Sequence, residues 1–162
     1  LETVRRALEI ARESDVLTVL NPAPAKELPR DMLKLVDVLT PNRSELAGLL
    51  GQPTTDDIRG CAAAVRRAGG RDLIVTLGGQ GALIVSDTEE AVPAFEVNAV
   101  DAVAAGDVFN GAFAVARTEG KGLSEAVRFA CAAAAVSVTR KGAQPSVPYR
   151  DEVEAFLAER TS

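Results

Sequence analysis

The sequence predicts an α/β fold, a mostly parallel sheet covered by helices on both faces, and three observations predict it. Short apolar runs of strand length alternate with longer segments of helical periodicity. Those runs stop at proline or glycine turns, the pattern of strands buried on both faces. The 162 residues are 47% hydrophobic but only 4% aromatic, with no Trp, so the core is built from Ala, Val and Leu, which suits close packing of helix on sheet. A charged fraction of 25% is that of a globular chain, and the length suffices for one core, so a single domain over 1–162 is expected.

Each element has its own signal. Thr3 to Arg12 reads as an amphipathic helix with Val4, Ala7, Leu8 and Ala11 on one face. Val16 to Leu20 is a buried strand stopped by Asn21-Pro22-Ala23-Pro24, and Val36 to Thr40 repeats the pattern before Pro41. Glu45 to Leu50 is a short helix closed by Gly51. Thr54 or Thr55 caps the next helix, which runs to Ala68 and ends at Gly69-Gly70. Leu73 to Leu77 is a third buried strand. Ala82 to Val85 and Val92 to Val97 flank an acidic turn at Asp87 to Glu90, a hairpin at the sheet edge. Three helices complete the chain: Ala105 to Arg117, Ser124 to Arg140, and Arg150 to Glu159.

Composition excludes several function classes. A net charge of −5 gives no broad attraction to nucleic acid or to an anionic membrane, so an anionic ligand has to be held by a local device. Cys61 and Cys131 lie in Ala-rich helical stretches with no His in the chain, which makes them buried thiols rather than metal ligands. No apolar run approaches the roughly 20 residues of a membrane span and no basic-then-apolar leader is visible, so the cytoplasm is the expected compartment. The first residue is Leu1 and helical periodicity starts at once, so the chain is expected to begin inside a fold.

The chemistry is concentrated in Asp101-Ala102-Val103-Ala104-Ala105-Gly106-Asp107, just before a helix whose buried face is Val108, Phe109, Ala112, Phe113 and Ala116. Small residues there leave the first backbone N–H groups of the helix unobstructed, and with the helix dipole they form an anion site suited to phosphate. Asp107 puts a carboxylate beside it that could take a proton from an attacking hydroxyl. The same Asp would also serve simply to complement the dipole. No Walker-type loop is present, and no G-x-G-x-x-G follows a strand as a dinucleotide-binding fold requires.

This segment, continued by Val108-Phe109-Asn110-Gly111-Ala112, resembles the second signature of the phosphofructokinase-B, or ribokinase-like, family, written D-T-x-G-A-G-D. The resemblance extends, in order and spacing, to Asn21-Pro22-Ala23-Pro24-Ala25, Thr40-Pro41-Asn42-Arg43-Ser44-Glu45, Thr76-Leu77-Gly78-Gly79-Gln80-Gly81 and Thr139-Arg140-Lys141-Gly142-Ala143-Gln144-Pro145-Ser146-Val147-Pro148. It covers nearly the whole chain. Ala102 stands where the family usually has Thr, and Ala104 where it has the first Gly, a version its ribokinases also show.

The resemblance implies a three-layer α/β/α arrangement of which this chain is the C-terminal, nucleotide-binding half, with the N-terminal half, most sugar contacts and the β-strand lid absent. It implies ATP-dependent phosphorylation of a sugar hydroxyl, ribose to ribose 5-phosphate, by a protein that is a homodimer when complete, with Asp107 as base and substrate contact and Ala104, Ala105 and Gly106 as anion hole. A fragment that binds ATP without catalysis, and another sugar or nucleoside kinase of the family, are the alternatives. Asn42 and Glu45 match its N-x-x-E motif for magnesium and phosphate, although an Asn after Pro41 and an acid in the first turn are also an ordinary helix start. Thr76, Leu77, Gly78, Gly79, Gln80 and Gly81 would approach ATP, and Cys131 its adenine; the turn would equally serve to enter the hairpin. Potassium would be held by Asp101 and by the backbone carbonyls of Val103, Ser137, Arg140, Gly142 and Ser146, positions that also suit a turn residue and a helix cap.

Overall fold

The computed structural model describes residues 1–53 and 55–160. Thr54, one of the two expected helix caps, lies outside them. The chain forms two compact units, Leu1–Leu77 with Leu83–Glu90, and Gly78–Ala82 with the chain from Ala91 onward.

The sheet has the strands β1 (Val19–Leu20), β2 (Val38–Leu39), β3 (Asp72–Thr76), β4 (Ala82–Val85) and β5 (Glu89–Val92), side by side in that order, and the first unit holds β1 to β3 with most of β4. The pairs β1–β2 and β2–β3 are parallel, with Val19 opposite Val38 and Leu39 opposite Leu73. Parallel neighbours need a crossover, and helices supply it: α2 (Arg30–Leu33) between β1 and β2, then α3 (Arg43–Gly48) and α4 (Ile58–Ala68) between β2 and β3. Helices α3 and α4 pack on each other and on β3. Leu39, Leu73, Val75, Leu83 and Val85 join Met32, Leu46 and Val65 in one apolar cluster. Val38, Ile74 and Ile84 alternate with them along the strands and are buried as well, so both faces of the sheet are covered, as the unbroken apolar runs require.

The strands start at a polar clasp. The Asp37 carboxylate accepts the N–H and the hydroxyl of Thr18, each at 2.9 Å, and pairs with Arg71 at 2.7 Å. Burial alone would push Asp37 up, but these hydrogen bonds and the guanidinium outweigh it and hold the carboxyl below the ordinary carboxylate range.

Several elements differ from expectation. Helix α1 runs Glu2–Glu13, and of its expected apolar face only Leu8 is buried. The first strand keeps two of the five residues of its apolar run: the Thr18 N–H goes to the Asp37 carboxylate while the Thr18 carbonyl still accepts the Val38 N–H at 3.0 Å, and Val16 and Leu17 are exposed. The second is trimmed to Val38–Leu39, and α2 was not foreseen. The cap of α4 is Asp57, whose carboxylate accepts the Gly60 N–H at 2.9 Å, and not Thr55. The hairpin turn is Ser86 to Thr88, closed by Ser86 N–H on the Thr88 carbonyl at 3.0 Å. Hence Glu89 and Glu90 belong to β5, whose place at the end of the sheet leaves acidic side chains exposed, and of the expected strand Val92 to Val97 only Val92, the last residue of β5, is in a strand.

The second unit holds α5 (Ala105–Thr118), α6 (Leu123–Ser137) and α7 (Arg150–Ala158), with 3-10 turns at 78–80 and 144–146. The short connection after Thr118 folds α6 back along α5, where Val108, Phe109, Phe113 and Ala116 of α5 are buried and Ala112 is half-buried. Helix α6 presents mainly Ala, so the two axes can approach closely. It stops at Ser137, three residues before the expected end, where the Ser137 and Thr139 hydroxyls bond back to the Ala134 and Val136 carbonyls and compete with continued helix. Cys61 and Cys131 are both buried free thiols. Among the described residues no helix is long and apolar enough to cross a membrane.

Candidate functional site

The expected site residues fall into two groups, one in each unit. In the first, Asn42, Glu45 and Thr76 meet at the C-terminal ends of the parallel strands, where such sheets receive ligands. Asn42 caps α3: its side-chain oxygen accepts the Glu45 N–H at 2.9 Å, and Glu45 Oε2 accepts the Asn42 N–H at 2.8 Å, a reciprocal capping box. A parallel bridge pairs Asn42 with Thr76, whose N–H donates to the Pro41 carbonyl at 2.9 Å. Leu77 follows Thr76, half-buried against the core. Asn21 was not among the expected residues; its amide donates to Glu45 Oε2 at 3.3 Å and to the Thr40 carbonyl at 2.9 Å. The signal for it was available, since it opens the Asn21-Pro22-Ala23-Pro24-Ala25 motif. Asn42 and Glu45 are neutral and acidic oxygen donors and so fit a hard cation such as magnesium. Among the described residues no cluster of three or more His, Cys, Asp or Glu could hold a metal, so the pair would share magnesium with water and phosphate oxygens.

In the second unit Gly78, Gly79 and Gln80 form the 3-10 turn, closed by Gly81 N–H on the Gly78 carbonyl at 3.0 Å. Gly81 is required by the fold, since a Cβ there would lie 2.1 Å from the Val92 carbonyl oxygen and its φ is +93°. Gly79 has open space around it and carries no such constraint.

The start of α5 is set by Ala104, the N-cap, at φ 62° and ψ 8° in the left-handed region. For an L-residue other than glycine this conformation costs about 1–2 kcal/mol, and it is the position where the family motif has Gly. The turn draws the Ala105 N–H onto the Ala102 carbonyl at 3.2 Å. A Cβ on Gly106 would meet nothing within 4 Å, so the approach to the helix start is open. Asp107 lies exposed in the first turn, where a negative charge is favoured by the dipole. It borders a cleft of about 500 Å³ that runs past Gly111 and Val115 of α5 and is walled by Phe129, Val147 and Arg150. Cys131 does not line this cleft, although Phe129 and Ala133 on either side of it do; an offset of two residues turns it to the opposite face of α6. Burial pushes its thiol up to about 11.

The six expected cation ligands all lie in the second unit. Asp101 spans two stretches of chain: Oδ1 accepts the Val103 N–H at 3.0 Å and Oδ2 the Gly142 N–H at 2.9 Å. Those two donors, Gly142 first, hold its carboxyl below the ordinary range. Ser137 and Ser146 are buried, the Ser137 carbonyl accepting the Arg140 N–H at 3.1 Å and the Ser146 N–H and hydroxyl both bonding to the Ala143 carbonyl. The donor set is one carboxylate and backbone carbonyls, all oxygen, with Val103 and Gly142 drawn to the same carboxylate, and that chemistry fits a hard monovalent cation. The Arg140 side chain pairs with Glu152.

Comparison with known proteins identifies this set of motifs. A profile described as "pfkB family carbohydrate kinase" matches residues 1–150. The ribokinase of Haemophilus influenzae is 42% identical over 97% of this chain and 52% of its own length, and a deoxyribokinase of Salmonella typhi is 41% identical over 98% and 53%. Among solved structures, Arabidopsis thaliana ribokinase complexed with ribose and ATP superposes with a TM-score of 0.89 at 32% identity over 96% of this chain and 52% of that one. A putative ribokinase II of E. coli in complex with ATP and Mg²⁺ gives 0.81 at 29% identity, over 96% and 53%. The phosphofructokinase-2 of Escherichia coli in complex with potassium gives 0.83 at 25%, over 99% and 53%. This chain has the same α/β fold over its length, and it spans about half the length of the curated relatives it matches.

Proposed function

The chain belongs to the pfkB family of carbohydrate kinases, and on that premise we propose that the protein carrying it transfers a phosphoryl group from ATP to a sugar hydroxyl, ribose to ribose 5-phosphate, with these residues as its nucleotide-binding and proton-accepting half. The observation that carries the proposal is the start of α5, where a left-handed Ala104 opens the helix N-terminus and sets Asp107 in its first turn. The Asp107 carboxylate takes the proton of the attacking hydroxyl while the sugar oxygen bonds to the γ-phosphorus and the bond from that phosphorus to the bridging oxygen breaks, releasing ADP. Ala104, Ala105 and Gly106 form the anion hole for the charge on the transferred group. Because the Ala105 N–H is bonded to Ala102 here, Gly106 is the better placed donor of the two.

Thr76 to Gly81 would contact ATP and Cys131 its adenine, reached on the face of α6 turned away from the cleft, and Asn42 and Glu45 would hold through water the magnesium that accompanies the phosphates. Magnesium, when bound, would neutralise phosphate charge, and potassium would add positive charge, held by Asp101 and the carbonyls of Val103, Ser137, Arg140, Gly142 and Ser146. Ribose is favoured by the ribokinase relatives, and a deoxyribokinase of nearly equal identity makes deoxyribose the sugar to compare it with.

The test is ADP release by the complete protein with ribose and with deoxyribose, before and after Asp107→Asn. Removing a positioned base costs roughly 10²–10⁴ in rate, so turnover should nearly vanish while ATP affinity stays within a few-fold. Near-normal turnover by Asp107→Asn would overturn the assignment.

A further inference from the structure

Glu152 lies in the first turn of α7, outside every site residue named above, yet one carboxylate joins two distant points of the loop that follows α6. Oε1 accepts Arg140 Nη2 at 2.5 Å and Oε2 accepts Arg140 Nη1 at 3.3 Å; Oε2 also accepts the Tyr149 N–H at 2.7 Å. We propose that Glu152 is a positioning residue for the monovalent-cation site, fixing through Arg140 the loop whose carbonyls form it. The proposal rests on the cation reading above.

From Val138 to Tyr149 the chain has no α-helix and only the one 3-10 turn, so its carbonyls are not aimed by a continuous ladder. Carbonyl ligation nevertheless demands several oxygens converging on one point. At one side of the loop Asp101 holds the Gly142 N–H, and the Val100 and Asp101 N–H groups bond to the Val138 carbonyl at 2.7 and 3.1 Å. At the other, the Glu152 carboxylate ties the Arg140 side chain to the Tyr149 N–H. A planar guanidinium facing both carboxylate oxygens sets orientation as well as distance, which a point charge would not. Both side chains are only about one-third exposed, at 34% and 35%, so the pair is not a freely solvated surface contact. A simple helix cap would need only the Tyr149 contact; the grip on Arg140 is the part that reaches the cation loop.

The experiment uses the complete protein and two readouts, the rise in thermal midpoint when potassium replaces sodium, and the potassium concentration giving half-maximal ADP release. Loss of a group that orients ligands typically costs 10–100-fold in ion affinity, so Glu152→Ala should raise the half-saturating potassium about tenfold or more in both readouts, with kcat recovered at saturating potassium. Arg140→Met, which keeps the Tyr149–Glu152 contact and so guards against a mere helix-cap or folding defect, should give a similar rise. The double variant should exceed neither single by much, because both remove one link. Unchanged potassium requirement in Arg140→Met, or additive effects in the double variant, would overturn the positioning role while leaving the cation site standing. A wild-type protein indifferent to potassium in both readouts would remove the site itself, and the proposal with it.

Discussion

Asp37 shows how one side chain can carry several strands. Its carboxylate takes two hydrogen bonds from Thr18 and one from Arg71, while its own carbonyl accepts the Asp72 N–H at 3.1 Å, so the starts of β1, β2 and β3 depend on it. Because the folded carboxyl sits below the unfolded value of about 3.9, its contribution is complete above that pH and is lost as pH falls through the folded value. Asp37→Asn should therefore cost about 1.5–3 kcal/mol near neutrality, the range for hydrogen bonds to a charged group, and the gap to wild type should close in acid. Thermal unfolding at pH 7 and at successively lower pH checks this; a pH-independent gap would mean that packing, not the charge, is lost. At residue scale the sequence was a mixed guide. Asp107 and Asp101 could be picked out from their motif, whereas Asp37 has no signal along the chain, since its partners are 19 and 34 positions away.

Elements were legible where one local rule governs. The capping box at Asn42 and Glu45 was visible as a helix start, and it is realised in full. Asn42→Ala should lower stability by about 1 kcal/mol, the usual worth of an N-cap. Glu45→Ala should cost less, and the double variant less than the sum, because the two contacts are one reciprocal unit. Chemical denaturation of all three with wild type measures the coupling, and strict additivity would contradict the geometry. Ala82 to Val85 was placed correctly because Gly81 and the Ser86 turn bracket an apolar run. The errors arose where a non-local partner overruled composition: the Thr18 N–H taken by the Asp37 carboxylate at β1, and acidic residues accepted into β5 because that strand is at the edge. Helix α2 is only four residues long, too short for any periodicity to announce it.

For the whole chain, the sequence relatives are about twice as long and the sheet here ends on β1. Val16 and Leu17, just ahead of that strand, are 56% and 45% exposed, an apolar edge of the kind that pairs with other chains. The purified 162-residue chain should show no measurable ribose kinase activity and should self-associate in light scattering, whereas co-expression with the portion that completes its relatives' length should restore sugar-dependent ADP release. Robust phosphorylation by the chain alone would mean that self-association supplies the missing contacts. Two of the three glycines in the turn after β3, Gly79 and Gly81, bear on how sequence variation in such a protein should be interpreted. Position 81 admits no side chain at all, so a saturation library scored by a folding reporter and one scored by growth on the sugar would both be blank there, and its invariance says nothing about nucleotide. Position 79 has room, so codons that survive the first screen and fail the second mark the point where the nucleotide, not the fold, dictates the residue.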